Sequence, residues 1–289
     1  MTSIEPAGRY LDVGDIRTFV IEEGDGPPLV LLHGSSAALD AHLTWYRTMP
    51  AFARHFRTIA PDLLGFGRTA MMPDGLYRNR LERTLHVIDL LDALGVKGAT
   101  LVGHSEGGFV AAKIAIERPD LVGRMVIVTS GGTAPAMDDG QDAAWHKASA
   151  AAYDYKAQTR DEKTFIASRR EMSDLDSTLE AILRANFRLA EETGTIEQFR
   201  NLPISEQSMR DYTKLQEEHL FPYLDRIEAP ALLIWAADDG TVPVARGEAL
   251  MRMLPRADLH VFQHARHMVM HDRAHDFARL IIDWCADNT

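Results

Sequence analysis

The sequence has one cysteine, Cys285, no run of about 18 apolar residues and no block of five like charges. Each absence closes a class of function. A single thiol cannot form an internal disulfide, and without a CxxC neighbour it marks neither a redox pair nor a thiolate metal site, so a reducing compartment is expected. Neither a membrane span nor the apolar stretch of a secretory signal is present, the opening MTSIEPAGRYLDVGD included, and the expected location is cytoplasmic. With 31 basic against 42 acidic side chains, a net charge of −11, there is no basic stripe to neutralise phosphates. Nucleic acid and anionic membranes are therefore not expected partners, whereas a small-molecule substrate is. Repeats with a period of 20 to 50 residues and low-complexity tracts are also missing, which removes solenoids and disordered linkers.

What remains is an ordinary globular composition, 289 residues with 46% apolar and 25% charged side chains. That length suits about two domains, or one large α/β domain carrying an insertion. From Ile16 onward, short β-rich runs alternate with longer runs of helical period. Strands are predicted at 17–22, 28–32, 56–60, 99–103, 124–129, 231–236 and 258–262, and amphipathic helices at 80–94, 106–117, 245–253 and 274–284. Apolar runs such as VIV and LLIW suggest strands buried on both faces, as in a parallel sheet. Residues 134–219 break the alternation: their pattern is almost wholly helical, which reads as a cap domain inserted into a core of residues 1–133 and 220–289. Caps supply substrate contacts and exclude water.

The chemistry-bearing motif is Gly103-His104-Ser105-Glu106-Gly107-Gly108, G-x-S-x-G directly after a predicted strand and before a predicted helix. A serine on such a sharp turn projects its hydroxyl above the sheet, and the glycines avoid collisions with neighbouring backbone. A serine hydroxyl is a weak nucleophile and needs an aligned base, itself oriented by an acid. Downstream, Asp238 and Asp239 follow the strand at 231–236, and His267 follows the strand at 258–262. All would meet at the C-terminal edge of the sheet, where open α/β sheets place their ligands. The turn His33-Gly34-Ser35-Ser36 follows the strand at 28–32, a position from which backbone N–H groups can meet a developing oxyanion.

In order and spacing, the His-Gly-Ser turn, GHSEGG, DDGTVP and the late histidine resemble the α/β-hydrolase superfamily over essentially the whole chain. The resemblance implies a mostly parallel eight-stranded sheet with helices on both faces. It also implies Ser105 as nucleophile, His267 as base, Asp239 in preference to Asp238 as the acid, and the amides of Ser35 and Glu106 as the oxyanion hole. More narrowly, SGGTAP after the sixth strand, the helical cap and the run WAADDGTVPVARG through FARLIIDW resemble the meta-cleavage product hydrolases, which break carbon–carbon bonds in aromatic degradation. Three positions depart from that subfamily. His104 stands where asparagine usually precedes the serine, Met268 where tryptophan follows the histidine, and Asn186 where a cap arginine holds the substrate carboxylate. Arg184 and Arg188 flank Asn186, but a helix turns about 200° in two residues, so neither shares its direction. Ser36, His104, Trp145, Arg184, Asn186, Arg188 and Met268 are the substrate-binding candidates.

These departures favour a cofactor-independent serine hydrolase acting on a carboxylic ester or lactone of a modest, largely apolar substrate. One alternative is a carbon–carbon bond hydrolase acting on a vinylogous diketone, and the feature that discriminates is whether a cationic group from the cap reaches the pocket. Another is a non-catalytic ligand-binding protein on the same fold. No cofactor is expected, since GFGRT completes no dinucleotide or phosphate loop. No metal is expected either, because His264, His267, His271 and His275 lack a carboxylate or thiol to complete a set. A homodimer is compatible with such a domain, although no residue pattern marks the patch.

Overall fold

The computed structural model describes residues 5–69, 71, 74 and 76–287. Eight strands form one sheet: β1 (Arg9–Val13), β2 (Ile16–Glu23), β3 (Pro28–Leu32), β4 (Arg57–Pro61), β5 (Ala99–His104), β6 (Val122–Val128), β7 (Ala231–Ala236) and β8 (Ala257–Phe262). Their spatial order is β1-β2-β4-β3-β5-β6-β7-β8. The β1–β2 and β2–β4 pairs are antiparallel and every other pair is parallel, the mostly parallel sheet expected from the alternating pattern. Only β1 was not anticipated. Val13 alone of its five residues is buried, so it carries no apolar run to betray it.

The central strands read as continuous apolar runs because both faces are covered. Leu29 and Leu31 of β3 join one buried cluster and Val30 and Leu32 the other, the alternation that a period of two imposes. In β7 the same split separates Leu232 and Ile234 from Leu233 and Trp235. Between β6 and β7 the chain leaves the sheet and forms helices only: Asp139–Ala152, Tyr155–Gln158, Glu162–Arg169, Ser177–Glu192, Thr195–Arg200 and Glu206–His219. Asp138, Asp154, Asp161, Asp176 and Ser205 each cap a helix start by accepting a backbone N–H. Those caps explain why a run that looks continuous across 148–158 is broken: Asp154 ends one helical stretch by starting another.

Three core histidines carry a consequence for stability. Burial pushes His33, His86 and His271 down to about 4. In the unfolded chain the same rings titrate near 6.5 and take up protons that the folded chain refuses. Stability from these groups is therefore complete above about pH 7 and is lost as the pH falls from about 6.5 towards 4, at up to roughly 1.4 kcal/mol per pH unit for each ring. The thermal midpoint should drop across this window, and His86→Gln should flatten the slope. A midpoint that stays level from pH 7 to 4.5 would refute this account.

Candidate active site

Ser105 stands between β5 and the helix Glu106–Glu117 with φ of 53°, a conformation L side chains rarely adopt. Its surroundings enforce the turn. A Cβ on Gly103 would lie 2.2 Å from the Gly107 carbonyl oxygen, and one on Gly107 would lie 2.3 Å from that of Leu32. The Ser105 N–H donates to the Val128 carbonyl at 2.9 Å, and the Ser130 hydroxyl donates to the Ser105 carbonyl at 2.5 Å. Because Ser105 occupies the cap position without capping, the first N–H groups of the following helix stay available at its positive end. Neither the Glu106 amide nor the Ser35 amide donates to a protein acceptor among the described residues. Both residues and Ser105 line one cavity, the arrangement an oxyanion requires.

Asp239 lies just beyond β7 and is buried, whereas Asp238 is exposed. Asp239 Oδ2 sits 2.9 Å from His267 Nδ1. Its Oδ1 accepts from the Thr241 hydroxyl and amide, both at 2.7 Å, and from the Val242 amide at 3.2 Å. Burial pushes this carboxyl up, but the field and hydrogen bond of His267 and the two Thr241 donors outweigh it and hold the group below its ordinary value. His267 thus has an ionised partner on Nδ1, which fixes the tautomer and leaves Nε2 for chemistry. Ser105 and His267 line a common cavity, and no hydrogen bond joins them among the described residues.

Two chambers meet at Ser105. The larger, about 200 Å³, is walled by Trp145, Tyr153, Tyr155, Phe199, Tyr212 and Val242, among others. The Trp145 indole N–H donates to the Thr241 carbonyl at 2.7 Å, tying this wall to the acid loop. The smaller, about 50 Å³, contains Ser36, His104, Arg169, Ser173, His267 and Met268. His104 donates through Nε2 to the His267 carbonyl at 3.1 Å, and burial, together with the field of His267, holds it far below its ordinary value and neutral. Ser35, Ser105 and Tyr153 face both chambers.

Arg169, at the end of the helix Glu162–Arg169, puts a guanidinium into the smaller chamber. Its NH1 donates to the Ser36 hydroxyl at 2.9 Å, its Nε to that of Ser168 at 3.2 Å, and its NH2 to Gln158 Oε1. Its Cζ lies 4.9 Å from the centre of the Phe165 ring. All these partners are neutral, and no carboxylate pairs with Arg169 among the described residues. Burial lowers its pKa, partly offset by Tyr155, Tyr153 and Glu171, and a guanidinium stays charged regardless.

The expected cap contacts fall elsewhere. Arg184 pairs with Glu162 and Glu180, and Arg188 with Glu162, on the exposed side of the helix Ser177–Glu192. Asn186 is buried and donates to the Ala38 carbonyl at 3.3 Å. None of the three lines either chamber, because the face of their helix that packs on the core is spent on Leu179, Ile182, Leu183 and Phe187. Sequence reading missed Arg169. Its one signal was spacing: Phe165 and Ile166 are the buried residues of its short helix, and Arg169, four and three positions on, shares their face. The late histidines do not converge on a metal site: His271 Nε2 donates towards the Leu43 and Thr44 carbonyls, and His275 is exposed.

A mostly parallel sheet with a sharp serine turn from strand to helix is the architecture of the α/β hydrolases, and the model of the alpha/beta hydrolase fold family matches residues 27–274. The chain belongs to that family and is a hydrolase. Within it, the chain is 32% identical over 282 residues to a 2-hydroxymuconate semialdehyde hydrolase of Pseudomonas sp. (strain CF600), covering 97% of this chain and 94% of the relative. It is 29% identical to a 2-hydroxy-6-oxo-2,4-heptadienoate hydrolase of Pseudomonas putida, with 96% of each chain covered. A solved structure of a variant of the meta-cleavage product hydrolase CumD superposes with a TM-score of 0.80 at 25% identity, covering 97% of this chain and 98% of that one. Among the described residues, no helix is long and apolar enough to cross a membrane.

Proposed function

We propose that this chain hydrolyses the carbon–carbon bond beside the ketone of a vinylogous diketone that carries a carboxylate, in place of the ester or lactone that the sequence departures favoured. The observation that carries this reading is the Arg169 guanidinium, held on the chamber of Ser105 and His267 with no carboxylate paired to it among the described residues. A half-buried cation with only neutral partners calls for an anion, and a dienoate brings one. The names of the relatives point the same way.

Breaking a carbon–carbon bond requires a sink for the electron pair left on the departing carbon. A 2-hydroxy-6-oxo-2,4-dienoate acquires that sink when it ketonises, with the hydroxyl proton lost and C5 protonated. In the reading proposed here, His267 takes the proton of Ser105, and the serine oxygen attacks the C6 carbonyl. The oxyanion forms against the Ser35 and Glu106 amides while Asp239 stabilises the charged imidazole. As the C5–C6 bond breaks, its electrons pass through C4 and C3 to the C2 oxygen, the proton held by His267 passes to the departing dienolate, and the dienol leaves the polar chamber. Water, activated by His267, then releases the acyl group from Ser105. The larger chamber takes the C6 substituent, and its aromatic walls suit an apolar ring, since a cavity of roughly 150 Å³ already admits benzene.

The deciding experiment compares a 6-phenyl-2-hydroxy-6-oxo-hexa-2,4-dienoate, its carboxylate methyl ester and 4-nitrophenyl acetate. We expect kcat/KM for the free dienoate to exceed that for its methyl ester by roughly thirtyfold or more, the range of a hydrogen-bonded charge pair. A faster reaction with 4-nitrophenyl acetate than with the dienoate would return the chain to the esterases.

A further inference from the structure

Ser35 and Glu106 lie on separate segments, one on the loop after β3 and the other at the start of the helix after β5, yet their side chains are joined. Arg83 NH1 donates to Glu106 Oε1 at 2.6 Å and to the Tyr77 hydroxyl at 3.2 Å, and that hydroxyl lies 3.1 Å from the Ser35 hydroxyl. NH1 carries two N–H groups, one for each acceptor. Tyr77, having accepted from Arg83, still has both a proton and a lone pair with which to meet the Ser35 hydroxyl.

The guanidinium is held at Nε, at NH1 and by two aromatic rings. Its Nε donates to the Leu64 carbonyl at 3.2 Å, and its Cζ lies 4.6 Å from the ring centres of both Phe66 and Tyr77. The Arg83 and Glu106 side chains are 1% and 4% exposed, so their attraction acts in an interior that screens it little. Unpaired, the Glu106 carboxylate would repel an oxyanion forming at its own amide.

We propose that Tyr77 and Arg83 are positioning residues that set the separation of the two oxyanion amides through this Ser35–Tyr77–Arg83–Glu106 chain. The proposal rests on Ser105 as nucleophile and on those two amides as its oxyanion hole. An oxyanion hole tolerates little drift, because its donors must lie within about 3.1 Å of the oxyanion and a 1 Å misplacement can cost about a hundredfold. No substrate atom needs to touch Arg83 for it to matter.

The test uses 4-nitrophenyl acetate, which needs the nucleophile and the oxyanion hole but not the carboxylate site, and phenylboronic acid, which forms a tetrahedral adduct on a reactive serine. Arg83→Met would strand the Glu106 carboxylate in the interior and endanger folding. Tyr77→Phe keeps the ring and removes only the link, and Ser35→Ala removes the hydroxyl while leaving the amide. Each is expected to lower kcat and weaken the boronate about tenfold with KM within twofold. The double variant should lose no more than the worse single, since one link cannot be broken twice. Losses that multiply in the double variant, a KM that rises in step with the boronate constant, or kcat and boronate binding within twofold of the parent would each overturn the proposal. Ser105→Ala is run alongside: if it keeps turnover and boronate binding, the nucleophile assignment fails, and the proposal with it.

Discussion

The Ser105→Ala variant is expected to lose turnover of the dienoate by roughly a thousandfold to a millionfold, the range seen when a nucleophile acting in concert with its base is removed. The fold should survive, because the turn is enforced by close backbone approach at Gly103 and Gly107 and not by the serine hydroxyl. Alanine inherits the positive φ of 53° and leaves the strain in place. Ser105→Gly, free of a Cβ, should unfold at a higher temperature by an increment worth about 1 to 3 kcal/mol, the strain typical of such a position. Together, the two variants separate chemistry from stability. Substrate-dependent absorbance decay at more than a tenth of the parent rate in Ser105→Ala would remove Ser105 from the reaction.

Arg169→Met should be nearly as damaging, but to one class of substrate only. Methionine fills a comparable volume beside Phe165 and abolishes the charge facing Ser36. Removing one member of a buried charged pair costs about 2 to 5 kcal/mol, so kcat/KM for a carboxylate-bearing dienoate should fall by roughly thirtyfold to a few thousandfold. Turnover of 4-nitrophenyl acetate should stay within about threefold, since nothing in that ester calls for a cation. Arg184→Met serves as the control: its guanidinium is paired with Glu162 and Glu180 outside the chambers, and both substrates should be indifferent to it. An Arg169→Met enzyme that retains its preference for the free dienoate would defeat the carboxylate assignment.

The difference between Ser105 and Arg169 shows which parts of this molecule were readable before folding. Ser105, Asp239 and His267 each follow a strand within a few residues, and a turn after a buried strand at the C-terminal edge of a parallel sheet has few directions to take. Strand identity therefore fixed their rough position. Even the choice of Asp239 over its neighbour agrees with burial, since one is enclosed with Thr241 and the other faces solvent. Arg169 has no such local grammar. The role proposed for it depends on how a helix of eight residues leans on the core, a long-range matter that spacing within the helix only hints at. Asn186, where the resemblance would put a cap arginine, lies in a longer helix whose buried face is otherwise apolar; Arg184 and Arg188, two residues to either side, turn outward as helical geometry requires. Tyr77 and Arg83 were invisible for the same reason: each looks ordinary until Ser35 and Glu106 are brought to either end of them.

The hydrogen bond between Arg169 and Ser36 joins a helix inserted between β6 and β7 to the loop after β3. A carboxylate arriving between them would exchange one neutral contact for charged contacts, and the ligand itself would become the staple between the two halves. In the reading proposed here, that staple would have to break before the anionic fragment could leave, so its departure and the release of the helix from the loop would be a single event. A molecule without the anion would never set the staple and would react with the two halves joined by the Arg169–Ser36 contact alone.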